Sequence, residues 1–337
     1  MKVLITGGGG FIGSHLSEYH LERGDEVWAI DTGMNLKVRH LLANARFHYV
    51  KASVLDAEAM EAFVIRADLI YHHAAVVGVE HYVDDSFNVL NVNILGTLNL
   101  LRLAHRHAKR IVFASTSEVY GRNPRVPWRE EDDRVLGATT MDRWCYSTSK
   151  AAAEHYAWAF QRMGLQVSVV RYFNVYGPRL DKVDVGRVIT IFMGQLLRGE
   201  PLTIIGDGHQ TRCFTYIDDA VQGTMEAGLR KEAVGKVFNI GDDRETEVLE
   251  LAMTMLKLFD RDPATGLLFV KQEQVYGSRY EDIPRRVPDI TRMKTILGVT
   301  PKTTLAKGLA TTIDWFRADS GSRPALTSAS LEEKPAR

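Results

Sequence analysis

Cysteine is nearly absent: the 337 residues contain two, Cys145 and Cys213. Two thiols cannot build a four-thiolate metal site and do not make a disulfide framework. That scarcity suits a reducing compartment, and a cytoplasmic location is expected. An excess of one charge is missing too. Lysine plus arginine, 42, equals aspartate plus glutamate, 42, which gives no support to binding of nucleic acid or an anionic membrane. No long apolar run opens the chain. Residues 3 to 5 are apolar but glycines follow at once, so neither a signal peptide nor a membrane span is expected. No metal is expected at His72 and His73, because neighbours on a strand face opposite ways and no Cys, Asp or Glu is placed to join them. What remains is an ordinary enzyme-like composition, long enough for one large α/β domain or two lobes.

Glycine is concentrated where it carries meaning. The apolar run Lys2 to Thr6 reads as a buried strand, and Gly7-Gly8-Gly9-Gly10-Phe11-Ile12-Gly13 leads into a helix. Gly7, Gly10 and Gly13 have G-x-x-G-x-x-G spacing, which lets backbone approach a pyrophosphate held at a helix N-terminus. A second strand, Glu26 to Asp31, ends on an acid placed to bind both ribose hydroxyls and to repel a 2′-phosphate, so NAD is expected over NADP. Alternation continues with a strand at 46–50, a helix at 57–66, a strand at 68–73 running into Ala74-Ala75, a long helix at 88–107 and a strand at 111–114. Asp56 falls just after the third strand, near where an adenine would lie. Chemistry is expected at Ser115-Thr116-Ser117-Glu118-Val119-Tyr120-Gly121, because α/β sheets place it at strand C-termini.

Tyr146 and Lys150 form Tyr-x-x-x-Lys. On a helix they share a face one turn apart, and an ammonium beside a phenol favours the phenolate. Such a tyrosine is expected to take a proton from a sugar hydroxyl while a hydride leaves the same carbon.

Taken in order, the glycine turn, Asp31, Ala74-Ala75, Asn93 in Asn-x-x-Gly-Thr, Thr116 to Gly121, Tyr146/Lys150 and Arg171-Tyr172-Phe173-Asn174 resemble an extended short-chain dehydrogenase/reductase of the nucleotide-sugar epimerase/dehydratase type. The resemblance covers about residues 1 to 316. It implies a Rossmann doubly wound parallel sheet over residues 1–171, with strands returning from later segments. It also implies a smaller C-terminal lobe, mainly 172–316, that binds the nucleotide sugar; separately, the richness of 318–337 in Ser, Pro, Ala and charge predicts a disordered tail. The resemblance implies a tightly held NAD, contacted by the glycine turn with Phe11 and Ile12, by Asp31 and Asp56, and by Ala74, Ala75 and Asn93. Tyr146 is then the base, Lys150 meets the nicotinamide ribose, Thr116 bonds the reacting hydroxyl and Tyr172 covers the nicotinamide. Asn174 holds a substrate phosphate and Arg212 the diphosphate. Arg187 and Val188 at a helix start, Thr203 on a strand offered to the nucleobase, and Gln210 complete the substrate set. In such enzymes two long helices pair into a homodimer's bundle. Leu95, Leu98, Leu101 and Leu103, with Ala151, Ala152, Tyr156 and Trp158, exceed what one core stripe needs.

The late stretch Val275 to Asp289, with Tyr-Gly-x-x-Tyr-Glu-Asp and Arg-x-Pro, resembles the branch containing UDP-glucuronate decarboxylase and UDP-apiose/xylose synthase. Carried across, Arg286 meets the sugar carboxylate or protonates C5, and Ser117 and Glu118 sit beside the sugar. Oxidation at C4 makes a uronate a β-keto acid that loses CO2; without a reaction at C5 the ketosugar can turn over into a C4 epimer, and a base at C5 can expel water. Decarboxylation is the leading expectation, 4-epimerisation and 4,6-dehydration the alternatives, and a non-catalytic NAD-binding sensor the reading outside enzymology.

Overall fold

A computed structural model describes residues 1–34, 36–181, 183–184, 186–271, 283 and 285–321. The alternating pattern of the first half becomes strands β1 (Lys2–Thr6), β2 (Glu26–Asp31), β3 (Phe47–Lys51), β4 (Leu69–His72), β5 (Arg110–Thr116) and β6 (Val167–Tyr172). Between and after them run helices α1 (Phe11–Glu22), α2 (Ala57–Arg66), α3 (Val79–Asp84), α4 (Ser86–Leu90), α5 (Thr97–Arg106) and α6 (Trp144–Arg162). The expected helix over 88–107 is real but interrupted. A π-helical turn at Asn91–Gly96 joins α4 to α5, and it carries Asn93. Such turns inside helices mark functional sites often enough to be noted.

The later half supplies β7 (Val175–Tyr176), α7 (Val188–Leu197), β8 (Leu202–Ile205), β9 (Thr211–Cys213), β10 (Thr215–Tyr216), α8 (Ile217–Leu229), β11 (Val237–Ile240), β12 (Glu245–Glu247), β13 (Leu267–Val270) and β14 (Arg285–Arg286). The central sheet has seven parallel strands in the order β11-β6-β5-β4-β1-β2-β3. Order reverses between β1 and β4, and the crevice at that reversal is where doubly wound sheets bind ligands.

Both faces of the sheet are covered, which is why its strands read as near-continuous apolar runs. Leu4, Ile70, Ile111 and Phe113 face the layer containing α2, α5 and α6. Val3, Ile5, Tyr71 and Val112 face the layer containing α1 and α8, in a core that continues into the later lobe. Three small sheets build that lobe: β7 with β10, β8 with β13, and β9 between β12 and β14. A third apolar cluster, with Tyr120, Trp128, Trp144 and Phe173, lies under the segment that follows β5.

Two expectations need correction. The last helix runs Leu305–Gly321, so Ala318 to Gly321 are helical rather than tail; residues 322–337 lie outside the described residues. Leu98, Leu101, Leu103 and Ala151 are buried within this chain and are not spare surface. Of the apolar residues singled out on the two long helices, Leu95 and Tyr156 are exposed. The late motif at 275–282 and Pro284 lies outside the described residues.

Candidate active site

The cofactor end begins at the glycine turn. Gly7 has φ +71°, and a Cβ there would lie 2.7 Å from the Ala74 nitrogen. A Cβ on Gly13 would lie 2.3 Å from the Gly7 carbonyl oxygen. Both positions therefore exclude side chains: one by backbone conformation and contact, the other by close approach of helix to turn. Helix α1 opens at Phe11 with Gly10 as its N-cap, without a side-chain cap and without an acid in its first turn. Phe11 is buried and Ile12 half-buried beneath this turn. Uncapped first-turn amides at a positive helix end form a natural anion site.

Asp31 ends β2, where its two oxygens accept from Gly9 N at 3.1 Å and Gly33 N at 3.1 Å. The Thr6 hydroxyl accepts from Ala74 N at 3.4 Å, fixing the start of the Ala74-Ala75 turn. Asn93 clamps the same loop, accepting from Val76 N at 2.8 Å and donating to Val76 O at 3.2 Å and Ser149 Oγ at 3.1 Å. It thereby ties the loop after β4 to α6. Asp56 behaves differently: its side chain caps α2, accepting from Ala59 N at 3.0 Å.

The sugar end lies where β5 meets α6. Tyr146 is buried, hydrogen-bonded to Thr116 and stacked on Tyr82 with ring centroids 4.9 Å apart. The expected lysine effect is not what the structure shows. Lys150 donates to Ala114 O at 2.8 Å, and burial lowers its amine to about 7, with Glu154 pulling the other way. The Tyr146 phenol is pushed well above its ordinary value by burial and then by Glu118; Arg187 and Thr116 offset this only in part. A carboxylate and a dry pocket outweigh an amine that is itself reluctant to carry charge.

Thr116 Oγ1 accepts from Glu118 N at 3.2 Å, and Ser117 is buried at the start of the one-turn helix Ser117–Tyr120. The Glu118 carboxylate bonds Arg286 and lies 3.5 Å from Arg143 Nη2. Burial pushes Glu118 up, but Arg286, Arg143 and Arg212 more than offset it and hold the carboxylate below its usual range. Strand pairing explains the convergence: in the β9–β14 ladder Arg212 and Arg286 are direct partners. One small sheet thus sets two guanidiniums side by side facing the end of β5.

The other substrate candidates scatter around this centre. Tyr172, at the end of β6, bonds His73 and Thr224. Asn174, at φ +38°, donates to Cys213 O at 3.1 Å, joining the loop after β6 to β9. Arg187 donates to Val175 O at 2.8 Å and pairs with Asp181 at 3.2 Å, and Val188 starts α7 and packs on the main core. Thr203 is held by Gln195, and Gln210 donates to Ile205 O at 3.2 Å. Neither joins the Glu118–Arg286 cluster among the described residues. Sequence reasoning overlooked Arg143 as a site residue, although it directly precedes the Tyr146 helix, and it overlooked Tyr82, which carries no pattern that would have flagged it.

A model of the NAD dependent epimerase/dehydratase family matches residues 3–241. The chain is 38% identical over 317 residues to UDP-N-acetyl-alpha-D-glucosaminuronate decarboxylase of Bacillus cytotoxicus, with 94% of this chain and 98% of the relative covered. It is 36% identical over 324 residues to UDP-glucuronic acid decarboxylase 2 of Arabidopsis thaliana, covering 94% and 68% respectively. Among solved structures, UDP-glucuronic acid 4-epimerase from Bacillus cereus in complex with UDP-glucuronic acid and NAD has a TM-score of 0.84 at 29% identity, covering 94% of this chain and 99% of that one. The chain belongs to the NAD dependent epimerase/dehydratase family. It is an enzyme of that class, and its cofactor is NAD. The side-chain-free turn at Gly7 and Gly13, the uncapped α1 N-terminus and the Asp31 carboxylate fit a dinucleotide.

Proposed function

We propose that the enzyme decarboxylates a UDP-linked uronic acid. The observation that carries this reading is the cluster of Arg286 and Arg143 around Glu118, beside the Tyr146–Thr116 pair. Two buried guanidiniums at the sugar end suit a substrate that brings its own carboxylate. NAD, when bound, supplies the oxidising power at sugar C4 and can return it. Gly7, Gly10, Gly13 and the α1 N-terminus would hold its pyrophosphate, Asp31 its ribose, and Lys150 and Tyr172 its nicotinamide half.

Tyr146 would serve as the base in its phenolate form, which burial and Glu118 oppose in the NAD-free protein and which the positive charge of bound NAD would favour; that phenolate takes the proton of the C4 hydroxyl, which Thr116 orients. With C4 a ketone, the C5 carboxylate is β to it; the C–C bond breaks and its electrons pass to the ketone oxygen. Tyr146 stands ready to stabilise that oxygen by proton donation. Arg286 and Arg143 hold the carboxylate in place, while Glu118, bonded to the same arginines, keeps them fixed when no substrate is there. Asn174, Arg212 and Arg187 bind the diphosphate, and Thr203 and Gln210 face the nucleobase.

The 38% identical relative suggests a second candidate substrate, the N-acetylated hexosaminuronate. Mass spectrometry after incubation with NAD and each UDP-uronate tests both. Loss of CO2 supports decarboxylation; an isomer of unchanged mass means 4-epimerisation, and no turnover of either sends the reading back to a different substrate. Arg286→Ala is expected to lower turnover by roughly 10²-fold or more while leaving NAD binding intact. We also infer a homodimer built on α6 and the helical segment from α4 to α5, supported by the exposed Leu95 in its π-helical turn and the exposed Tyr156, and a cytoplasmic location, supported by two free thiols. No helix among the described residues is long and apolar enough to cross a membrane.

A further inference from the structure

The two adjacent histidines that open onto the glycine turn are not alike. His72 Nδ1 meets Thr6 Oγ1 at 2.7 Å and its Nε2 meets Thr97 Oγ1 at 2.9 Å. The Thr97 hydroxyl already donates its proton to Asn93 O at 2.6 Å, so His72 Nε2 is the donor there. Thr6 then donates to a bare Nδ1. Both ring nitrogens are satisfied, and His72 is explained as a neutral core residue that joins β4 to β1 and α5.

His73 points to the other face, as alternation requires. Its Nε2 lies 2.8 Å from Tyr172 Oη, which lies 2.7 Å from Thr224 Oγ1. The Thr224 hydroxyl donates to Ala220 O at 2.8 Å within α8. A hydroxyl has one proton. Thr224 can therefore only accept from Tyr172, Tyr172 can only accept from His73, and His73 must carry its proton on Nε2. The chain of donors runs one way, from β4 through the end of β6 into α8. It leaves His73 Nδ1 as a buried acceptor with no hydrogen-bond partner among the described residues.

We propose that His73 is a cofactor-positioning residue: as its Nε2–H tautomer it fixes the orientation of the Tyr172 ring and so shapes the nicotinamide end of the crevice. The proposal rests on the reading of Tyr172 as the residue that lines that end. A carboxylate or a second lysine could not replace His73 here, because the site needs one neutral donor beside the buried Lys150. The buried imidazole resists protonation, held down to about 3 by desolvation and by Lys150. Leucine or phenylalanine would fill the space but leave the phenol oxygen without its donor.

The test is side-chain nitrogen NMR of the full-length protein, together with NAD affinity of His73→Leu, His73→Gln and Tyr172→Phe measured by calorimetry. The expected result is an Nε2–H tautomer for His73. NAD binding should weaken about 3- to 10-fold in His73→Leu and recover in large part in His73→Gln, whose amide can donate. An Nδ1–H tautomer overturns the proposal. So does full NAD affinity in His73→Leu when Tyr172→Phe is weakened. If Tyr172→Phe also binds NAD as the wild type does, the place given to Tyr172 is wrong and the proposal falls with it. A circular dichroism melt of each variant separates lost folding from lost positioning.

Discussion

At the scale of single residues, the site is governed by desolvation as much as by pairing. Lys150 shows this most directly. Its amine falls to about 7 from 10.5 because burial disfavours the ammonium. In the unfolded chain the same lysine stays protonated to its ordinary value, so between about pH 7 and pH 10 the unfolded state binds more protons than the folded one. Stability of the NAD-free protein should therefore rise with pH across that window, with the full penalty present below it. A melting-temperature series against pH, compared with Lys150→Met, checks this; equal slopes in the two proteins would refute it. Tyr146 sets the upper bound of the window. Its phenol is held neutral by burial and Glu118, so above about pH 10 the unfolded state ionises first and stability turns down. Tyr146→Phe removes no packing but removes the proton carrier. Turnover should drop by roughly 10²- to 10⁴-fold with NAD content unchanged.

At the scale of elements, the catalytic helix is anchored from behind. Glu154, one turn beyond Lys150, accepts from Arg171 Nε at 2.9 Å and Nη2 at 2.6 Å, and from Ser115 Oγ. Arg171 goes on to Tyr120 Oη at 2.8 Å, and Tyr120 to Asn239 Oδ1 at 2.7 Å. One buried ion pair thus joins α6, β5, β6 and β11. Glu154→Gln strands the arginine charge and should cost on the order of 3–5 kcal/mol in a denaturant titration. Adding Arg171→Met should recover much of that loss; a double variant as unstable as the single one would count against the network. This network was not legible in the sequence. Tyr146 and Lys150 are close in the chain and announce themselves by helical spacing, whereas Glu154 and Arg171 meet only because α6 packs across β5 and β6. The same distinction explains the glycine turn, which was readable because strand, turn and helix are consecutive. It also explains the arginine cluster, where Arg212 and Arg286 become neighbours through a strand pairing that no local pattern encodes. The lysine–tyrosine coupling failed for a related reason: spacing gives a shared face but says nothing about how dry that face is.

At the scale of the molecule, the exposed Leu95 and Tyr156 lie on adjacent helices and support pairing of two copies. Leu95→Arg combined with Tyr156→Arg should give a folded monomer by light scattering. An unchanged mass would place the contact elsewhere. The central sheet carries a different consequence. Its outermost strand on one side, Val237–Ile240, pairs with Val167–Tyr172 although roughly 65 residues separate them. During synthesis at about 5–20 residues per second, the rim of the half-made sheet therefore waits several seconds for its last partner. Ribosome-bound chains of that intermediate length would offer an unzipped backbone edge to chaperones. A gene fragment ending at 171 would encode that same unfinished state.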